Sequence, residues 1–131
     1  MIVDTSALVA IMHQEADALD FARAIIDCGV CRLSAATYVE TAAVIDGKRN
    51  PLISRRFDEF LLEMRVVIEP VTEGQARIAR EAYRDFGKGS GHPAKLNFGD
   101  CFAYALAKEL NEPLLFKGDD FKHTDVKVVP L

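Results

Sequence analysis

The chain has 131 residues, a length typical of one domain, and 50% of them are hydrophobic while 27% are charged. This composition excludes a disordered tail, a collagen-like fibre and a coiled-coil rod. Sixteen Lys and Arg against 20 Asp and Glu give a net charge of −4, so any nucleic acid would have to be held by local basic patches or metal ions rather than by a broad basic face.

The N-terminal segment has no feature of an export signal. Its apolar stretch contains Asp4 and has no basic flank before it, and no apolar run reaches the ~20 residues that span a membrane. Three cysteines would leave one over in a disulfide framework, which fits a reducing compartment. We therefore expect a cytoplasmic protein with no membrane partner, in which Cys28 and Cys31 are thiols rather than zinc ligands.

The first half of the chain alternates short strands with helices. A strand over residues 1–4 leads directly into a helix, and a second helix is predicted over 15–28. A strand over 30–33 follows, and Ser34 is placed to cap a helix that runs through Val44.

The middle of the chain predicts two further helices and one strand. Pro51 opens a helix with an apolar stripe at helical spacing, and residues 65–69 predict a strand. Thr72 and Gln75 have the spacing of a capping box, for a helix whose buried face includes Tyr83.

The last third begins with a flexible loop over residues 87–95. Asn97 is placed to cap a helix that ends near Leu110, and short strands are predicted over 113–116 and 126–129. Short apolar strands separated by helices predict an α/β domain with a mostly parallel central sheet of about five strands between two layers of helices.

Acidic residues occur where a parallel sheet places its ligands, at the carboxyl ends of strands. Asp4 ends the first strand, Asp100 lies in the first turn of a helix, and Asp119 and Asp120 follow a strand. Glu40 is the only charge in its helical segment. Taken singly, each acid is also explained as a helix cap, a partner of the helix dipole or a turn residue.

Taken together, the acids indicate a metal site. No Lys or Arg is built into the segments of Asp4, Glu40 or Asp100, and a buried carboxylate costs several kcal/mol unless a positive group compensates it. Mg²⁺ or Mn²⁺ is the natural counter-ion for such oxygen ligands, and it would orient a water for attack on a phosphate.

Other constellations are weaker. The three histidines have no Ser or Cys partner that would suggest a catalytic triad, and the glycines of the 87–95 loop do not form a P-loop. Five lysines are candidates for phosphate contacts, with a solvated surface as the equally good interpretation: Lys88, Lys95, Lys117, Lys122 and Lys127.

Four segments carry a resemblance to a known family. Residues 1–10, 38–41, 96–105 and 114–125, in that order along the chain, resemble the PIN domain, and specifically the VapC toxins of type II toxin–antitoxin systems. The resemblance covers residues 1–131 and implies a single PIN-like domain with three α/β/α layers.

The resemblance also implies an activity, a Mg²⁺-dependent endoribonuclease (Mn²⁺ as a substitute) that cleaves structured RNA such as transfer or ribosomal RNA. Three of the family's four active-site acids match Asp4, Glu40 and Asp100. The fourth matches Asp120, with Asp119 as the alternative. Metal ligation would fall mainly on Asp4 and Asp100, with Glu40 and Asp120 completing the pocket.

Partners are implied in the same way: a homodimer, a VapB-like antitoxin that inhibits the toxin, and DNA only through that antitoxin. We expect Thr5 and Ser6 to orient a carboxylate or water, and Asn97 to cap its helix rather than bind metal.

Two alternative functions remain, a non-catalytic PIN-like binding module and a haloacid-dehalogenase-like phosphatase. The phosphatase needs a second Asp two positions after the first, where this chain has Ser6.

Overall fold

The computed structural model describes residues 1–131 and contains four strands, six α-helices and one 3₁₀ helix. In chain order they are β1 (Ile2–Val3), α1 (Thr5–Met12), α2 (Ala18–Asp27), β2 (Arg32–Ser34), α3 (Ala35–Gly47), α4 (Pro51–Glu63), β3 (Val67–Glu69), α5 (Glu73–Phe86), α6 (Asp100–Leu110), β4 (Leu114–Leu115) and the 3₁₀ helix (Asp120–His123).

The four strands form one parallel sheet in the order β3-β2-β1-β4. Ile2 pairs with Arg32 on one side and with Leu114 on the other. The predicted fifth strand over 126–129 is wrong, because that segment contributes only a single bridge from Val128 to Leu114. Its hydrogen bonds to β4 all involve Leu114, whose N–H donates to the carbonyl of Lys127 and whose carbonyl accepts from the N–H of Val129, so the pairing covers one residue of β4.

The sheet separates two hydrophobic cores. Successive side chains of a strand point to opposite faces, so Ile2 and Leu114 pack with α5 and α6, while Val3 and Leu115 pack with α1, α2 and α4. This arrangement confirms the prediction of a parallel sheet between two helical layers.

Two helix starts differ from the sequence prediction. Helix α2 begins at Ala18 instead of Glu15, because residues 15–17 form a turn. Ser34 precedes α3 as expected, but its buried hydroxyl has no hydrogen-bond partner and does not cap the helix. Helix α3 also continues to Gly47, three residues past the predicted end.

The α5 predictions are partly confirmed. Thr72 Oγ1 accepts from the N–H of Gln75 at 3.1 Å, as in a capping box, but the Gln75 amide donates to Glu109 and does not return to Thr72. Tyr83, predicted as buried, is 46% exposed. All three cysteines are free thiols, and no helix is long and apolar enough to cross a membrane.

Candidate active site

The parallel strands bring the predicted acids to one edge of the sheet. Asp4 directly follows β1, α3 follows β2, and the turn before Asp120 follows β4. These residues surround an open cavity of about 340 Å³, which we call the acidic cavity. Its lining is Asp4, Thr5, Ser6, Val9, Glu40, Val44, Asn97, Asp100, Lys117, Asp120 and Phe121.

The structure places the two neighbouring candidates for the fourth acid differently. Asp120 lines the acidic cavity, whereas Asp119 does not. The carboxylate of Asp119 is exposed and accepts from Lys122 Nζ at 2.8 Å, which lowers the pKa of Asp119.

Asp4 is 3% exposed and is held by its neighbour Ser6. The backbone N–H and the hydroxyl of Ser6 both donate to Asp4 Oδ2, at 2.9 and 2.6 Å. Ser6 Oγ in turn accepts from the N–H of Lys117 at 2.9 Å, which ties β1 to the turn after β4. Burial raises the pKa of Asp4, and the bonds from Ser6 oppose that rise.

Asp100 exchanges two hydrogen bonds with Asn97. The N–H of Asn97 donates to Asp100 Oδ2 at 2.9 Å, and Asn97 Oδ1 accepts from the N–H of Asp100 at 2.8 Å. The bond from the N–H of Asp100, the first residue of α6, agrees in part with the capping predicted for Asn97, although Gly99 and not Asn97 is at the N-cap position. Burial raises the pKa of Asp100 to about 6, helped by the charges of Asp4 and Asp120.

Glu40 lies on the second turn of α3 and faces both aspartates. Burial raises the pKa of Glu40 to about 7, and the charges of Asp4 and Asp100 add to the rise. The hydroxyl of Thr5 opposes it, while also lying 3.0 Å from the hydroxyl of Thr41. Three carboxylates thus affect one another across the acidic cavity.

No positive side chain forms an ion pair with these acids. None of the ion pairs in the structure involves Asp4, Glu40, Asp100 or Asp120. Lys117 lines the cavity, but its ammonium group is bound by Glu15 and Asp17 outside the cluster. The acids of the cavity therefore have no ion-pair partner in the protein.

The donor set fits a hard cation. No group of three or more Asp, Glu, His or Cys side chains forms a ready-made cage for a metal. Mg²⁺ does not need such a cage, because it keeps several waters and binds through one or two carboxylates together with substrate phosphates. The possible metal ligands of this cavity offer oxygen atoms and no thiolate or imidazole, which suits Mg²⁺ or Mn²⁺ and does not suit zinc.

One residue that makes room for an acid was not singled out from the sequence. Gly99 leaves room for Glu40. It lies inside the Asn97-Phe-Gly-Asp100 motif, which was the available signal. Among the lysines predicted as phosphate contacts, the charge of Lys88 lowers the pKa of Asp100. Lys127 lies beside the amino end of β4, where its carbonyl accepts from the N–H of Leu114, and not at the carboxyl end that carries the acids.

Comparisons with known proteins agree with this geometry. The PIN domain family model matches residues 1–127. The chain is 59% identical to Ribonuclease VapC28 of Mycobacterium tuberculosis over 127 residues, which cover 97% of this chain and 96% of that protein.

Two solved structures share the fold. The crystal structure of M. tuberculosis VapC20, described as a sarcin–ricin loop cleaving toxin, matches with a TM-score of 0.77 and 19% identity over 98% of this chain and 97% of that chain. A chain of a toxin–antitoxin complex from Klebsiella pneumoniae matches with a TM-score of 0.73 and 18% identity over 99% and 97% of the two chains.

Proposed function

Because the chain belongs to the PIN domain family and, within it, to the VapC ribonucleases, we propose that it is the toxin of a toxin–antitoxin pair and a Mg²⁺-dependent endoribonuclease. The observation that carries this proposal is the acidic cavity, in which four carboxylates lie together without a paired Lys or Arg. A structural neighbour described as cleaving the sarcin–ricin loop supports structured RNA, ribosomal or transfer, as the substrate class.

In this proposal Asp4 and Asp100 would hold Mg²⁺, or Mn²⁺ in its place, and Glu40 and Asp120 would complete the pocket. A cation held there would supply positive charge toward an RNA phosphate and its developing negative charge. Ser6 and Asn97 fix the orientation of the two aspartates through the hydrogen bonds described above.

Water is the nucleophile, and a carboxylate accepts its proton. Glu40 is suited to this role because its pKa is raised to about 7, and a general base works best when its pKa lies near the working pH. The phosphodiester bond breaks as water adds to phosphorus, so the proton taken up by Glu40 is available for the leaving oxygen.

The protein partner is a VapB-like antitoxin, and DNA is reached only through it. Support comes from the structural neighbour that was solved in a toxin–antitoxin complex. The unpaired negative charge of the acidic cavity is complementary to a basic side chain, so an antitoxin segment that enters the cavity would compete with the cation.

A second copy of the chain is the other partner. Phe98 is 75% exposed and packs edge-to-face on Phe102. Apolar cavities lie on both sides of this pair, one beside Tyr83 and the other beside Val39. A contiguous exposed aromatic surface of this kind is typical of a protein interface, and we assign it to the homodimer.

The decisive experiment incubates the antitoxin-free protein with bulk transfer and ribosomal RNA. Mg²⁺ and Mn²⁺ are titrated, a chelator control is included, and the Asp100→Asn protein runs in parallel after its fold is checked by circular dichroism. We expect metal-dependent fragments at few positions, absent in the variant. Wild-type cleavage by Asp100→Asn would overturn the site, and no cleavage by folded, metal-loaded protein would favour the non-catalytic binding module.

A further inference from the structure

The loop between α5 and α6, residues 87–95, has a fixed shape. At its ends the N–H of Lys88 donates to the carbonyl of Leu96 and the N–H of Leu96 donates to the carbonyl of Phe86, both at 2.9 Å. Inside the loop the Ser90 hydroxyl donates to the Gly87 carbonyl at 2.6 Å. Ala94 is fully buried and anchors the loop in the core. The groups on its surface are therefore held in place before any ligand arrives.

The loop carries cations that no acid neutralises. Lys88 and Lys95 are exposed, and neither has a carboxylate within ion-pair distance. In contrast, Lys117 and Lys122, near the same edge of the sheet, are both paired with acids. The segment 87–95 itself contains no Asp or Glu.

The loop also presents N–H donors. The backbone N–H groups of Gly89 and Gly91 donate to no protein atom, and both residues have φ of +85°, a conformation that suits glycine. The Nδ1 atom of His92 accepts from the N–H of Ala94 at 3.1 Å, which leaves the Nε2 side of the ring to donate. Unbonded backbone N–H groups and lysine side chains on residues that line one cavity are typical of an anion site.

These groups line a cavity of about 460 Å³ without acidic or large apolar side chains, which we call the loop cavity. The chain runs from the loop cavity directly into the acidic cavity, because Asn97, two residues after Lys95, lines the acidic cavity and is bonded to Asp100. The charge of Lys88 lowers the pKa of Asp100. The structure thus has a cation-bearing cavity next to a carboxylate-bearing one.

We propose that the loop cavity binds the RNA phosphate next to the scissile phosphate, through Lys88, Lys95 and the N–H groups of Gly89 and Gly91. The identity of the anion rests on the proposed nuclease function. An RNA strand carries a phosphate at every nucleotide, so a strand whose scissile phosphate enters the acidic cavity places a neighbouring phosphate within reach of the loop. An acidic protein segment fits less well, because its carboxylates would meet Asp100 and Asp120 next door.

Binding is measured without cleavage, by fluorescence anisotropy of a labelled RNA hairpin with Mg²⁺ in the Glu40→Gln background, which keeps Asp4 and Asp100 and lacks the proposed general base. In this background the double variant Lys88→Gln/Lys95→Gln is compared with Lys127→Gln, which removes an exposed charge beside the amino end of β4. We expect affinity to fall about three- to fivefold for each loop lysine, the scale of an exposed charge pair. The plot of log affinity against log salt should become less steep, by about 0.7 for each lost phosphate contact. Lys127→Gln should have the affinity and the salt dependence of the protein without a lysine substitution.

Cleavage separates this proposal from the proposed function. With Mg²⁺ the loop variant should show a raised KM for RNA. Lys95→Gln, which leaves the charge of Lys88 near Asp100 in place, should hydrolyse bis(p-nitrophenyl) phosphate, which has no neighbouring phosphate, like wild type. RNA binding by wild type without any cleavage would overturn the nuclease and keep the loop site. Cleavage and RNA binding by the loop variant equal to those of Lys127→Gln would overturn the loop site and keep the nuclease. The loop site is also overturned if the Glu40→Gln protein binds no RNA with Mg²⁺, or if the loop variant loses affinity only for an antitoxin.

Discussion

Gly99 leaves the space that the Glu40 carboxylate occupies. A Cβ atom on Gly99 would lie 1.9 Å from Oε2 of Glu40, far inside any real contact. The backbone of Gly99 has φ of −64° and ψ of −40°, which any residue adopts, so glycine is required here for space and not for conformation. The residue before Asp100 thereby lets α3 place its carboxylate against the start of α6.

Gly99→Ala should therefore impair catalysis and leave the fold intact. The added methyl group forces the Glu40 carboxylate to move, and a displacement of about 1 Å at a reacting group costs about 100-fold in rate. RNA cleavage and the melting temperature are measured together. Gly47→Ala on the same helix as Glu40 is the control, because a Cβ there meets nothing within 4 Å. Wild-type cleavage by Gly99→Ala would show that the position of Glu40 is unimportant.

Ser6→Ala should weaken metal binding through Asp4. It removes the 2.6 Å hydrogen bond to Asp4 Oδ2 and the acceptor for the Lys117 N–H. Loss of a residue that orients a metal ligand typically costs about 10- to 100-fold in affinity or activity. Mn²⁺ affinity is measured by electron paramagnetic resonance, beside cleavage.

The matched variants for this prediction are Ser6→Thr and Ser54→Ala. Threonine restores a hydroxyl at position 6 and should recover most of the Mn²⁺ affinity. Ser54 donates to Asp46 away from the cavity, so its loss should change nothing. Equal Mn²⁺ affinity of Ser6→Ala and wild type would contradict a positioning role.

Asp120→Asn should abolish or strongly reduce cleavage, whereas Asp119→Asn should be active. Asp120 lines the acidic cavity and its charge affects Asp100. Asp119 is exposed and binds Lys122 instead. Both changes remove one negative charge from the same turn, so each is the control for the other in one cleavage assay. The reverse order of activities would assign the fourth role to Asp119.

The sequence was sufficient to find the acids, because their positions follow from local rules. Asp4 comes at the end of a strand, Asp100 at the start of a helix, and Glu40 is a lone charge in an apolar segment. Parallel strands then bring their carboxyl ends to one edge. The convergence of Asp4, Glu40 and Asp100 on one cavity was therefore predictable, whereas the choice of Asp120 over Asp119 came only from the resemblance to the PIN domain family.

What the sequence did not predict depends on packing between distant segments. The space beside Gly99 exists only because α3 crosses the start of α6. Likewise Lys117 meets Glu15 and Asp17, about 100 residues earlier in the chain, only after β1 and β4 have paired. The 126–129 segment has the composition of a strand, but it pairs with only one residue of β4, Leu114.

Phe98→Asp should convert a dimer into a monomer. Phe98 is 75% exposed at the centre of the apolar surface that we assign to the homodimer, and a carboxylate there would be desolvated on association. Light scattering coupled to size-exclusion chromatography gives the mass of each species. Leu62→Asp is the control, since Leu62 is 79% exposed on α4, outside the aromatic surface. A dimer of unchanged stability in Phe98→Asp would place the interface elsewhere.

The metal-free protein should become less stable as pH rises from about 4.5 to about 7. Folding raises the pKa of Glu40 from an ordinary 4.5 to about 7 and that of Asp100 from 3.8 to about 6, chiefly through burial. Between those values the folded state binds more protons than the unfolded state, so the free energy of unfolding falls as protons are lost. These protons stabilise the folded state fully at a pH below the ordinary pKa of each group. The stabilisation is lost at a pH above the raised pKa of the folded state.

Glu40→Gln should remove much of this dependence. In EDTA at pH 8 the variant should melt a few degrees higher than wild type, because about 1 kcal/mol shifts the melting temperature of a domain this size by roughly 3 to 5 °C. At pH 4.5 the two proteins should melt alike, and Mg²⁺ at pH 8 should raise the melting temperature of wild type more than that of the variant.

Asp125→Asn is a control whose effect on stability at pH 8 should be opposite to that of Glu40→Gln. Lys108 and Tyr104 lower the pKa of Asp125, so its loss should destabilise the protein at pH 8 and matter least at low pH. A melting difference between Glu40→Gln and wild type that does not change with pH would mean that Glu40 is not held among uncompensated carboxylates. The acidic cavity would then lack the negative charge that attracts a cation, and the proposed reaction depends on that cation.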